Sequence, residues 1–134
     1  METLLPEGWP RPKGYSNGLR VPAGRELVFI SGVVGWDAEE RMVSDRFAGQ
    51  FEQALENIVA ILAAGDGLPG DLVRLTVYVT DLEAYKSSLK EIGAAWKRLI
   101  GRHYPCMALI QVKGLLEEGA MVEIEATAAV APRD

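Results

Sequence analysis

The stretch VRLTVYV at residues 73–79 alternates without a break: Val73, Leu75, Val77 and Val79 fall on one face, and Arg74, Thr76 and Tyr78 on the other. A period of two is a β-strand with one face in a core and one outside it. The flanking stretches have a different period. Phe47, Phe51, Ala54, Leu55, Ile58 and Leu62 recur at helical spacing, which predicts a helix over 44–64. Ser44 and Asp45 are suited to cap its free amides, and Gly65 and Gly67 to stop it. Tyr85, Leu89, Ile92, Trp96 and Leu99 build a second apolar helical face, with Asp81 as its cap and Gly101 at its end. A half-buried strand between two amphipathic helices implies a sheet with both helices on its apolar face.

The remaining elements complete that sheet. LVFISGVV at 27–34 is a strong strand, residues 19–21 a short one, and 22–24 (Pro-Ala-Gly) the turn between them. Residues 107–112 and 121–130 are the last two strands, joined through 114–119. The proline- and glycine-rich residues 1–17 read as an irregular arm, and 35–42 as a polar loop holding Trp36. The expected class is α+β, a mixed sheet with two helices on one face in the order ββαβαββ, forming a single domain over 1–134. The second face of that sheet, expected near Ile110, Val112 and Ala126, has no element left to cover it, so self-association is expected.

Charge and cysteine content narrow the function classes. The net charge is −5 and the basic residues are dispersed, with only Lys97, Arg98 and Arg102 close together. Nucleic-acid binding starts from a concentrated basic face, so no nucleic-acid partner is expected. No apolar run approaches the ~20 residues that span a bilayer, so no membrane partner is expected either. Cys106 is the lone cysteine and His103 the lone histidine; they provide no metal-ligand cluster, and no metal or other cofactor is expected. A reducing compartment, the cytoplasm, is the expected location.

Several short stretches together resemble the RidA (YjgF) family: KGYSN at 13–17, FISG at 29–32, TVYVTDL at 76–82, QALENI at 53–58 and VEIEA at 122–126. Their order matches the family's and they extend over nearly the whole chain. The resemblance implies the chorismate-mutase-like fold and a homotrimer with small-molecule clefts between subunits. It also implies hydrolysis of reactive enamines or imines such as 2-aminoacrylate. In active members an arginine just after a Tyr-Pro or Phe-Pro turn grips the substrate carboxylate with two parallel donors. The corresponding turn here is HYPCM at 103–107, and Met107, which has no charge and no donor, stands at the arginine position. Leu89 or Lys90 stands where the family has a helical asparagine. Loss of a desolvated charge–carboxylate contact costs about 2–5 kcal/mol, so the usual small substrate is not expected.

The resemblance carries the family's acid to Glu123, its arm tyrosine to Tyr15, and its small strand-end residues to Ser31 and Gly32. Glu123 is the candidate catalytic group, against the plainer role of an outward strand residue paired across the sheet. Tyr15, Ser31, Gly32, Trp36 and Met107 are the candidate ligand-binding residues. For Tyr15 the plainer role is an anchor for the arm, for Ser31 and Gly32 a bulge, for Trp36 a packing plug, and for Met107 core filling. Arg102 and His103 are the nearest replacements for the missing arginine, and Cys106 reads as an inert thiol. The resulting expectation is an enamine/imine deaminase of altered specificity, acting on a larger, less polar ligand than 2-aminoacrylate. The alternative is a non-catalytic metabolite binder or sensor. An endoribonuclease or translation inhibitor ranks last because the chain is acidic.

Overall fold

The computed structural model describes residues 1–133. Strands β1 (Glu2–Leu4) and β2 (Gly18–Arg20) form a small antiparallel sheet. The main sheet contains β3 (Glu26–Val34), β4 (Leu72–Val79), β5 (Cys106–Gln111) and β6 (Val122–Val130) in the order β3-β6-β4-β5. Strand β6 is antiparallel to both neighbours, and β4 and β5 are parallel. Parallel strands need a long crossover. Helices α2 (Leu82–Ser87) and α3 (Leu89–Leu99) supply it between β4 and β5, while α1 (Phe47–Ala64) connects β3 to β4, with β6 inserted between them.

One side of the sheet lies under the helices. Ala54, Leu55, Ile58 and Leu62 of α1 are fully buried, as are Leu75, Val77 and Val79 of β4 and Val122 and Ile124 of β6. Burying a leucine- or isoleucine-sized side chain stabilises by about 1.5–3 kcal/mol, so these few rows hold the helices in place. The opposite side is open: Leu27 is 60% exposed and Phe29 74%. Ile110 belongs to this open side, as expected from the sequence. Ala126 does not; it is paired with Leu75 and Ile30 and buried under the helices, and Glu125 and Thr127 have the outward parity instead. None of the described helices is long and apolar enough to cross a membrane.

Three local expectations change. The arm includes a strand, β1, too short for alternation to reveal; its pairing with β2 is accompanied by an Arg20–Glu2 ion pair of 2.8 Å. The second helix is split at Ser88. The Ser87 hydroxyl donates to the Glu83 carbonyl at 2.6 Å and the Ser88 hydroxyl to the Ala84 carbonyl at 2.7 Å, so two consecutive serines compete for the helix's own acceptors. The first helix starts at Phe47, after the expected caps. Ser44 Oγ accepts from the Arg46 amide at 3.0 Å, closing the turn before the helix, and Arg46 takes the cap position without a side-chain bond. Asp81 does cap α2, accepting from the Glu83 amide at 3.0 Å.

Gln50, on α1, is 1% exposed. Its Nε2 donates to the Ser44 carbonyl at 3.0 Å and the Gly119 carbonyl at 2.9 Å, and its Oε1 accepts from the Met121 amide at 2.8 Å. One buried amide thus ties the entry of α1 to the loop that feeds β6. Gln50→Leu keeps a similar volume but strands these backbone groups, and is expected to cost about 3 kcal/mol in urea unfolding. A loss below about 1 kcal/mol would show that water replaces the amide at no cost.

Candidate functional site

The register of β3 against β6 slips once. Ile30 pairs with Ala126, and the next pair is Val33 with Ile124, so Ser31 and Gly32 together oppose the single residue Glu125. This is a β-bulge, which bends its strand and re-aims nearby side chains. A Cβ on Gly32 would come within 2.9 Å of both Cδ and Oε2 of Glu123. The glycine therefore leaves the space in which the Glu123 carboxylate sits. The plainer expectation for Ser31 and Gly32, a bulge, is what the strand shows, and the group that closely approaches Gly32 is the chain's own Glu123.

Glu123, Glu125 and Thr127 of β6 line up on the helix-free side with Arg74, Thr76 and Tyr78 of β4. The Tyr78 hydroxyl donates to Glu125 Oε1 at 2.7 Å. That bond, then desolvation, then the negative charges of Glu125 and Glu123 push the Tyr78 phenol above its ordinary 10.0. Glu125 is thereby engaged, whereas Glu123 makes no side-chain hydrogen bond or ion pair among the described residues. A shallow cavity of about 320 Å³ opens beside this row, lined by Phe29, Ser31, Arg74, Thr76, Glu125 and Thr127 among others. Cys106 pairs with Arg74 and is half-buried, more open than an inert core thiol.

Tyr15 lies elsewhere, in a larger cavity of about 1080 Å³ between the arm and the loop before β5. The arm is stitched to that loop by Ser16, whose amide donates to the Pro105 carbonyl at 3.1 Å and whose hydroxyl donates to the Tyr104 carbonyl. His103 is occupied structurally. Its Nε2 is 2.6 Å from the Leu72 carbonyl, where it must be the donor, and its own carbonyl accepts from the Trp96 indole at 3.2 Å. Arg102 has no ion-pair partner among the described residues and lines the cavity with Tyr15.

Met107 pairs with Leu75 and packs half-buried against the core, lining neither cavity within the single chain. Trp36 lines neither cavity. It is half-buried, bridged to Met42, with its carbonyl accepting from Asn57 Nδ2 at 2.9 Å. The same loop is closed by Asp37, whose carboxylate accepts from the Arg41 and Glu39 amides at 3.0 and 2.9 Å; the Arg41 bond does most to hold its pKa below the ordinary 3.8. The single chain thus brings Ser31, Gly32 and Glu123 together, and places Tyr15, Met107 and Trp36 apart from them. Sequence reasoning passed over Tyr78, Glu125 and Arg74. The signal was present in the outward parity of 74, 76 and 78 and of 123 and 125. Arg11, Lys13 and Arg102 all line the larger cavity, and sequence separation concealed that they share it.

The family model described as Endoribonuclease L-PSP matches residues 10–130. The chain belongs to this family, whose members also carry the names RidA, YjgF and RutC. Among curated relatives, Protein DfrA of Myxococcus xanthus is 34% identical over 115 residues, spanning 85% of this chain and 83% of that protein. The 2-iminobutanoate/2-iminopropanoate deaminase of Salmonella typhimurium is 30% identical over 131 residues, spanning 95% and 96%. Among solved structures, the Rid-family protein YyfB of Yersinia pestis superposes with a TM-score of 0.84 at 28% identity, covering 96% of this chain and 98% of that one. RidA from a Psychrobacter species gives 0.67 at 32% identity, covering 97% and 100%. These matches establish the RidA fold expected from the sequence.

The Tyr78–Glu125 bond is open to titration. Because the folded phenol is raised, its contribution to stability is present below pH 10.0 and is lost as pH climbs through the folded value. Alkaline difference absorbance, with Tyr78→Phe identifying the signal, is expected to show Tyr78 ionising above 10.0, and Glu125→Gln to move that ionisation down. Glu125→Leu, which removes acceptor as well as charge, is expected to move it further, and an unchanged transition in that variant would mean that the bond does not form in solution.

Proposed function

We propose that this single-domain chain assembles as a homotrimer and, in clefts between subunits, hydrolyses the C=N bond of an imine, presented as such or formed by tautomerisation of its enamine, with Glu123 as the proton-transfer group. The observation that carries the reading is the unpartnered Glu123 carboxylate seated in the space left by Gly32. An unengaged carboxylate beside a ligand can take a proton from water and return it. Water's oxygen bonds to the imine carbon as the C=N π pair moves to nitrogen. Glu123 accepts the proton from water and delivers it to nitrogen. The carbinolamine's hydroxyl proton then passes through Glu123 to the amine as the C–N bond breaks, releasing ammonia and leaving a carbonyl. Relatives named 2-iminobutanoate/2-iminopropanoate deaminase, from Salmonella typhimurium and Homo sapiens and each 30% identical, support this class of reaction. Subunit clefts are part of the reading because the candidate residues are dispersed within one chain. Met107 lies on the edge strand β5, where a neighbouring subunit can place its own bulge and acid opposite it. Tyr15 and Trp36 then line the cleft from the arm and the Asp37 loop.

The specificity is proposed to differ from that of relatives acting on 2-aminoacrylate, because Met107 offers an apolar wall and no donor for a substrate carboxylate. The same feature favours a second reading, a non-catalytic metabolite binder in the same cleft. A nuclease role has less support, since the open side of the sheet carries Glu123 and Glu125. A reducing cytoplasm suits the half-buried lone thiol of Cys106.

Light scattering is expected to give roughly three times the 14.6 kDa chain mass, since Phe29 and Leu27 stand exposed on a sheet side that a threefold assembly buries. A monomer at micromolar concentration would refute the assembly. Ammonia release from 2-aminoacrylate is expected to be slower than that of arginine-bearing relatives by about thirtyfold or more, the lower end of the lost contact. With a larger imino acid, Glu123→Gln is expected to abolish turnover while sparing affinity. Retained turnover would exclude Glu123 as the proton-transfer group. Gly32→Ala, which displaces the carboxylate, should lower the rate in the same direction.

A further inference from the structure

The larger cavity has a composition unlike the rest of the molecule. The chain carries a net charge of −5, yet no aspartate or glutamate lines this cavity, while Arg11, Lys13 and Arg102 do. None of these three cations has an ion-pair partner among the described residues; Arg74, Lys90, Lys97 and Lys113 are also unpaired, but this cavity brings three such cations to one concave surface. Unpaired cations gathered around a concave surface create a local positive field that recruits anions. The cavity also displays aromatic rings to solvent: Trp9 is 58% exposed, Tyr15 43% and Tyr104 42%. Its volume, about 1080 Å³, exceeds what a three-carbon acid would fill. Its walls are tethered. Ser16 binds the arm to the Tyr104–Pro105 carbonyls, His103 is pinned to Leu72, and β1 is paired with β2.

From these observations we propose that the arm cavity binds a ring-bearing organic carboxylate. Arg102 grips the carboxylate, Arg11 and Lys13 add charge, and the ring rests against Trp9, Tyr15 and Tyr104. A guanidinium suits a carboxylate because it presents parallel donors to both oxygens, and exposed aromatic faces provide the sequence-tolerant surface on which a planar ring is desolvated. The site goes beyond the deaminase reading: it shares Tyr15 with the proposed cleft, needs no turnover, and is a property of the single chain.

Calorimetric titration with phenylpyruvate tests it, using 2-phenylethanol as the neutral counterpart and inorganic phosphate as the ringless anion. Phenylpyruvate is expected to bind saturably, at least about tenfold more tightly than either control. Arg102→Ala should weaken it about tenfold or more, and Arg11→Ala/Lys13→Ala should weaken it less while making it less sensitive to salt. All these positions lie on exposed surface, and unchanged thermal melting would show that the variants remain folded. Equal affinity for 2-phenylethanol, equal affinity for phosphate, or no effect of Arg102→Ala would each overturn the proposal. So would an oligoribonucleotide that binds more tightly and displaces phenylpyruvate. Glu123→Gln, which removes the proposed proton-transfer group and lies outside the arm cavity, should leave phenylpyruvate binding in place. In the unsubstituted protein, binding without turnover of any imine leaves this inference standing and removes the deaminase reading. Turnover without phenylpyruvate binding does the reverse.

Discussion

Strand β6 is hydrogen-bonded along its length to β3 on one side and to β4 on the other, antiparallel to both. Every other feature is arranged around that central position. Its even-numbered residues, Val122, Ile124, Ala126 and Ala128, are buried beneath α1, and small alanines let the helix approach closely. Its odd-numbered residues, Glu123, Glu125 and Thr127, then have to emerge on the other side. A one-residue slip would place carboxylates under the helices at prohibitive desolvation cost. The register that builds the core is therefore the register that presents the acids, and the extra residue at Ser31–Gly32 accommodates one of them.

Much of this was legible in the sequence, for identifiable reasons. The alternation at 73–79 and the helical spacing of Phe47 through Leu62 report burial, and both elements lie there, with the helix starting at Phe47 instead of 44 and the register slipping between Leu72 and Arg74 so that Leu72, and not Val73, is fully buried. Strand β5 and strand β6 were found within one residue. The parity of Ala126 was misjudged because an alanine sits equally well on either side of a sheet. Strand β1 escaped notice because three residues carry no period. The break at Ser88 escaped it because serine hydroxyls act on the backbone, where an apolar pattern is silent.

The candidate site was legible only in part. The contact between Gly32 and Glu123 joins residues far apart in the chain, and the family resemblance, more than any local signal, selected both. Charge behaves differently again. Arg11, Lys13 and Arg102 look dispersed along the sequence, yet the arm folds back through Ser16 and gathers them at one cavity. An overall acidic balance thus coexists with a local cationic surface, and net charge alone describes neither.

The division of the second helix at Ser88 also bears on how the molecule fluctuates. Helix α2 contains no fully buried residue, and its packing relies on half-buried Leu82, Ala84 and Tyr85, the last with its ring edge-on to Phe47 at 6.2 Å. Helix α3 buries Ile92, Ala95 and Trp96. With Ser87 and Ser88 already diverting carbonyls at the junction, α2 is held to the sheet chiefly by half-buried side chains and by the Leu82 amide, which donates to Gln111 Oε1 of β5 at 2.8 Å. Its amides belong to the low-free-energy end of the protein's opening motions, and those of α3 to the end near global unfolding. One crossover therefore joins a segment that breathes locally to one that opens only with the core.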